Sequence, residues 1–144
     1  MKSRFKNNRK VAGGIAILAN LIIICVEVLV LLKIVPYDII GGGRMQSYEK
    51  AAMLAGFSIL VQLILLYCIA AAANILSNKR FQKITGMVLE VFSVYFVLNI
   101  VMNLMGKTWF ERVFCSLICL VQVVCFRVIV HSQKGLGRSL EQEE

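Results

Sequence analysis

Four apolar runs, Val11–Val35, Ala51–Leu76, Thr85–Met105 and Thr108–Val130, occupy most of this chain. Each reaches or exceeds the ~20 residues that a helix needs to cross ~30 Å of hydrocarbon. Inside lipid a spanning segment must satisfy its own backbone polar groups, so each run is predicted to be a helix. The expected fold class is all-α integral membrane, a four-transmembrane-helix bundle. Composition agrees: 59% of the 144 residues are apolar and 17% charged, against roughly half and a quarter in soluble domains. With one proline and no long Ser/Gly/Pro linker, a single membrane domain over residues 1–144 is expected. Too little chain lies outside the runs to form a soluble catalytic domain.

The first run follows a basic head (Lys2, Arg4, Lys6, Arg9, Lys10), as a signal peptide would. Its apolar stretch is longer than a 7–15-residue signal core, and no small-x-small cleavage site follows. It is therefore expected to be a retained first helix. The net charge of +8 invites a nucleic-acid partner, but its placement argues for topology instead. The head, Lys79, Arg80, Lys83, Lys134 and Arg138 fall on one set of flanks. Lys33, Arg44, Lys50, Lys107 and Arg112 fall on the other, with Arg127 inside the fourth run. Lys/Arg excess marks cytoplasmic loops, which predicts an N-in/C-in, multi-pass protein of the cell membrane. Attraction to anionic lipid is a secondary use of the same charge.

Two runs carry a glutamate, Glu27 and Glu90. An ionisable group in hydrocarbon costs several kcal/mol unless paired or hydrated, which makes each a functional-site hypothesis. Glu27 is expected about five residues to the outer side of the midplane and Glu90 about five to the inner, roughly 15 Å apart along the normal. A shared acid pair between them is therefore not expected. Arg127 lies near the depth of Glu90, and a structural Glu90–Arg127 ion pair is predicted. Glu27 has no basic residue at its own level. The polar candidates around it for a ligand or ion are Asn20, Gln62, Asn99 and Asn103.

On helical wheels, Gly13, Ala16, Asn20 and Glu27 form one stripe, and Ala51, Ala55, Ser58, Gln62 and Ala73 another. Small residues let helix backbones approach, and amides among them can bond across helices. Tyr95, Asn99, Asn103 and Gly106 share a face of the third helix, with Glu90 and Ser93 turned away. In the fourth helix Glu111, Cys115 and Gln122 share a face. The five cysteines all lie within the runs, with no C-x-x-C or zinc-type spacing. Buried cysteine behaves chiefly as a small hydrophobe. No metal site, cofactor or catalytic residue is expected.

The loop residues 36–50 contain three consecutive glycines beside Arg44. They suit a tight backbone bend, and their N–H groups could also cradle an anion. Ser47 is placed to cap helix two, Thr108 to cap helix four, and Lys33 to snorkel outward. Residues 135–144 read as a frayed polar tail.

The stretch Val35-Pro36-Tyr37-Asp38-Ile39-Ile40-Gly41-Gly42-Gly43-Arg44-Met45 resembles the GGR outer loop of a group of small bacterial four-helix membrane proteins. Asn99-x-x-x-Asn103-Leu104-Met105-Gly106-Lys107-Thr108-x-x-Glu111 resembles that group's N-x-x-x-N-L-x-x-K-T-x-x-E link between helices three and four. Phe57-Ser58-Ile59 and Cys125-x-Arg127 fit as well. This chain has Gly41 where the group has an aromatic and Gln62 where it has asparagine. The resemblance implies the four-helix architecture but no activity. It also implies one outer-face cluster of Gly42, Gly43, Arg44, Asn103, Lys107, Thr108 and Glu111.

Three function classes follow. A non-catalytic accessory or interaction subunit ranks first, because the small and polar stripes exceed what one bundle was expected to need. Its partners would be membrane lipid and either further copies of itself or a larger membrane protein. A small oligomeric transporter or lipid-handling protein using Glu27 ranks second. It is similar in size to small multidrug exporters, whose lone carboxylate carries proton and cation in turn, but helix one offers no Trp or Tyr for an aromatic lining. An intramembrane enzyme ranks last.

Overall fold

The computed structural model describes residues 2–39, 45–76 and 82–141. Four helices follow in order: α1 (Lys2–Leu31), α2 (Tyr48–Ala72), α3 (Gln82–Leu104) and α4 (Ser116–Glu141). A five-residue π-helical turn, Glu111–Cys115, leads into α4. All four helices are long and apolar enough to cross a membrane, and the described residues include no strand.

Polar contacts fix the helix directions. Arg9 reaches Ala72, Asn20 reaches Gln62 and Tyr48 reaches Leu31, so α1 and α2 are antiparallel. Lys134 meets Glu90 and Asn103 meets Cys119, which makes α3 and α4 antiparallel. Gln122 reaches Ala16 and Phe5 lies beside His131, so α4 also runs against α1. The helices form a closed ring in chain order, with α1 packed on both α2 and α4. The start of α1 and the end of α4 share one end of the bundle, called here the terminal end. The turns after α1 and α3 lie at the other, the loop end.

Several boundaries differ from expectation. α1 begins at Lys2 rather than Val11, because nothing in the basic head breaks a helix and Arg9 turns inward. Arg9 is buried, and its Nε donates to the carbonyl of Ala72 at 2.6 Å. That carbonyl also accepts from Gln133 Nε2 at 2.9 Å. α4 continues to Glu141 rather than stopping at Val130. Packing holds the extension: a Cβ at Gly135 would sit 3.2 Å from the Phe5 ring. The expected frayed tail is thus helical as far as Glu141.

α1 and α2 both stop short of Val35 and Leu76 because each ends in a left-handed cap. Lys33 adopts φ 58°, and the N–H groups of Lys33 and Ile34 bond back to Val30 and Leu29 at 3.0 Å each. Asn74, also at φ 58°, closes α2 with Asn74 N–H to Ala71 and Ile75 N–H to Ala70. This is the paired 5→2 and 6→1 bonding that ends many helices. Lysine is a costly residue there, and Tyr48 compensates. Its ring lies 4.4 Å from Lys33 Nζ, and its hydroxyl donates to Leu31. Ser47 caps α2, accepting from the Lys50 N–H at 3.5 Å.

The small-residue stripes bury inside this one chain. Ala16, Asn20, Ala51, Ala55, Gln62 and Ala73 are all buried, and Gly13 approaches Ala73 so closely that no Cβ fits between them. Leu65, Ile69, Leu89, Phe126 and Ile129 fill the centre and the terminal half. The ion pair of Glu90 is with Lys134, at 2.7 Å, and not with Arg127 as the sequence predicted. Lys134 lies two turns beyond Arg127 on the same face of α4. It falls within a helix only because α4 runs past Val130.

Candidate functional site

Toward the loop end the four helices enclose a cavity of about 450 Å³. That lies within the ~300–1,000 Å³ range of small-molecule sites. Glu27, Gln62, Asn99 and Asn103 line it together, although they come from three helices. Asn20 stands one step behind the wall, donating from Nδ2 to the backbone carbonyl of Gln62 at 3.0 Å.

A second carboxylate joins Glu27, and it is Glu111 rather than Glu90. Glu111 is buried and lines the cavity. The resemblance implied an outer-face cluster for it, and the helical wheel put it on one face with Cys115 and Gln122; that face turns inward. In the π turn the N–H of Ser116 bonds back to the carbonyl of Glu111, a wider loop than an α-helix makes. Glu111, Phe114 and Cys115 all line the cavity from this widened segment. Thr108 Oγ1 donates to Glu111 Oε2 at 3.0 Å and accepts from the Glu111 N–H at 3.3 Å. Thr108 thereby caps the helix start and orients the carboxylate together. Arg112 Nε donates to the Gly106 carbonyl at 2.6 Å. A Cβ on Gly106 would meet Glu111 Oε2 at 2.9 Å, so this position admits only glycine without rearrangement.

Lys107 is exposed, and Gly42, Gly43 and Arg44 lie outside the described residues. Of the proposed outer cluster, Asn103 and Glu111 face the cavity, with Thr108 bonded to Glu111.

Glu27 is half-buried near the end of α1, with the Ser58 side chain of α2 as its polar neighbour. Its Oε2 is buried and meets no hydrogen-bond donor among the described residues. Cys115 lines the same cavity as Glu27 and Glu111. Asn103 Nδ2 donates to Cys119 Sγ at 3.7 Å and ties α3 to α4 at the wall.

The rest of the lining is apolar and includes six aromatic side chains among aliphatic ones. Phe57 from α2, Phe92, Tyr95 and Phe96 from α3, and Phe110 and Phe114 beside the π turn all contribute. Phe110 and Phe114 stack with centroids 4.7 Å apart, and Tyr95 meets Phe96 edge-on at 5.6 Å. The sequence made an aromatic lining look poor because helix one has no Trp or Tyr; the rings come from the other three helices. Their signal was present as Phe92, Tyr95, Phe96, Asn99 and Asn103, a spacing that repeats along one helix face. Leu54 and Phe57 on α2, and Tyr95 and Met102 on α3, are lining residues that are also exposed. Exposed lining residues therefore flank the cavity on its α2 and α3 sides.

No family model matches this chain, and no curated protein or solved structure matches it either. Function has to be argued from the cavity itself.

Proposed function

We propose that this is a multi-pass protein of the cell membrane, with both termini cytoplasmic, that binds and moves a lipophilic organic cation. One observation carries the proposal: two carboxylates, Glu27 and Glu111, share a cavity with six aromatic side chains. Carboxylates in a low-dielectric wall favour a positive charge. Aromatic faces add about 0.5–2 kcal/mol per well-placed cation and tolerate a bulky apolar body. Exposed lining residues on α2 and α3 suit a ligand that partitions into lipid before binding.

An accessory role drew its support from small and polar stripes thought surplus to one bundle. With those stripes buried within a single chain, the cavity is the stronger ground for a function. The bacterial group whose loop motifs this chain resembles adds no activity of its own.

The test is calorimetric titration of the protein in lipid nanodiscs with tetraphenylphosphonium and with an uncharged aromatic of matched size. The cation is expected to bind, the neutral compound to bind at least tenfold more weakly, and Glu27→Gln to weaken the cation by a similar factor. Equal binding of the two compounds, or an unchanged affinity in Glu27→Gln, would overturn the proposal. Uptake of the cation into proteoliposomes then separates movement from binding alone.

A further inference from the structure

Beneath the cavity, three side-chain amides from three helices meet in the middle of the bundle. Asn20 and Gln122 are both 0% exposed, and Gln62 is 8% exposed. They are linked through backbone: Asn20 Nδ2 donates to the carbonyl of Gln62 at 3.0 Å, and Gln122 Nε2 donates to the carbonyl of Ala16 at 3.2 Å. Ala16 lies one helical turn from Asn20, so the two amides bond at neighbouring turns of α1.

These bonds settle which way the Asn20 and Gln122 amides point. Of an amide's two polar atoms only the nitrogen can donate to a carbonyl, so turning either amide over would set oxygen against oxygen. Their oxygens are thereby committed to face the other way. Asn20 Oδ1, Gln122 Oε1 and Gln62 Oε1 are all buried, and none meets a donor among the described residues. Native interiors seldom leave such acceptors unmet, because each one costs about 1–3 kcal/mol. In hydrocarbon there is no bulk water to share the cost.

We infer that this layer is a built hydration site, in which ordered water donates to the amide oxygens of Asn20 and Gln122 and connects through Gln62 to the cavity. Water fits the donor set better than a metal cation does. The site offers neutral oxygens alone, and fewer of them than the six or more that hard cations commonly gather. A buried water needs only two to four polar partners. Gln62 supplies the route, since its side chain lines the cavity while its backbone carbonyl holds Asn20. The consequence is a polar seam at mid-membrane in which exchangeable water adds to the direct bonds that Asn20 and Gln122 make to neighbouring backbone. Such a seam can be remade when helices shift, whereas a dry apolar contact would resist. The inference rests on the position of the cavity and not on which ligand the cavity takes.

The test is a crystal structure of the full chain from lipidic mesophase, with a matched crystal soaked in rubidium. Density 2.7–3.2 Å from both Asn20 Oδ1 and Gln122 Oε1, with no rubidium anomalous signal, is the expected result. A rubidium peak there would replace water with a cation site. Amide oxygens met by protein donors would remove the site altogether. Gln122→Leu gives a second, solution readout, and in either case it removes the Nε2 bond to Ala16. If water is bound, the variant loses the water's bonds as well and its Tm falls. If the oxygen is dry and unmet, removing it relieves a penalty that offsets the lost bond, and Tm holds or rises. Tetraphenylphosphonium binding by the native protein is independent of either outcome, so this inference and the proposed function can fail separately.

Discussion

Tyr48 donates its phenolic hydrogen to the carbonyl of Leu31 across 2.5 Å, while its ring carries Lys33 Nζ 4.4 Å from the centroid. One side chain at the start of α2 thus closes the last turn of α1 and offsets the left-handed lysine that follows it. Tyr48→Phe keeps the ring and removes the hydroxyl. It should cost about 1 kcal/mol, the usual net worth of one hydrogen bond. Adding Lys33→Gly should recover part of that loss, because glycine adopts φ near 58° without penalty. Thermal unfolding in detergent, followed for both variants, checks the two signs.

Neighbouring glycines in α1 should respond in opposite ways. A Cβ at Gly13 runs into Ala73, whereas one at Gly14 meets nothing within 4 Å. Gly13→Ala therefore overpacks the α1–α2 contact, at a cost of roughly 1–3 kcal/mol. Gly14→Ala should be neutral or stabilise by up to about 1 kcal/mol through helix propensity. Combining Gly13→Ala with Ala73→Gly should restore most of the loss. An additive double mutant would mean that the two residues do not touch.

The exposed Glu90–Lys134 pair gives a third test. The Lys134 side chain is 66% exposed and that of Glu90 41%, so neither Glu90→Gln nor Lys134→Met should shift the melting temperature by more than a degree or two in detergent. Their effects should be non-additive, and Glu90→Gln should couple more weakly to Arg127→Met than to Lys134→Met, because Arg127 makes no ion pair with Glu90. Stronger coupling between positions 90 and 127 would restore the pairing read from the sequence.

Much of this architecture was legible in the chain because runs this long and apolar leave few alternatives to a helix. Apolar length gave the four helices, and wheel stripes gave the buried faces of α1 and α2. What was misplaced came from boundaries and from one irregular turn. Ending helix four at Val130 hid Lys134 and gave Glu90 the wrong partner. Thr108 and Glu111 carry the spacing of a helix start, which invites placing both at the surface. The π turn, whose hydrogen bonds leave no pattern in residue type, was not legible, although Glu111 heads it and lines the cavity. Asn99, Asn103, Gln62 and Glu27 were each identifiable as polar residues at costly depth. Their shared cavity depends on helix rotations that pairwise stripes do not determine.

Cysteine placement offers the most direct check on the cavity. Cys115 and Cys119 line it, whereas Cys68 and Cys125 are buried elsewhere and Cys25 is exposed on α1. In a variant retaining Cys115 alone, with serine or alanine at the other four positions, a small uncharged maleimide should label the protein. A variant retaining Cys125 alone should label at least tenfold more slowly, since no lining residue leads to it. Tetraphenylphosphonium at saturating concentration should protect Cys115, because that thiol lines the same cavity as Glu27 and Glu111. Labelling of the Cys25-only variant should be unaffected by the cation. Fast labelling of Cys115 without protection would leave the cavity real but the cation elsewhere. Equal rates at Cys115 and Cys125 would mean that the helices do not enclose this space at all.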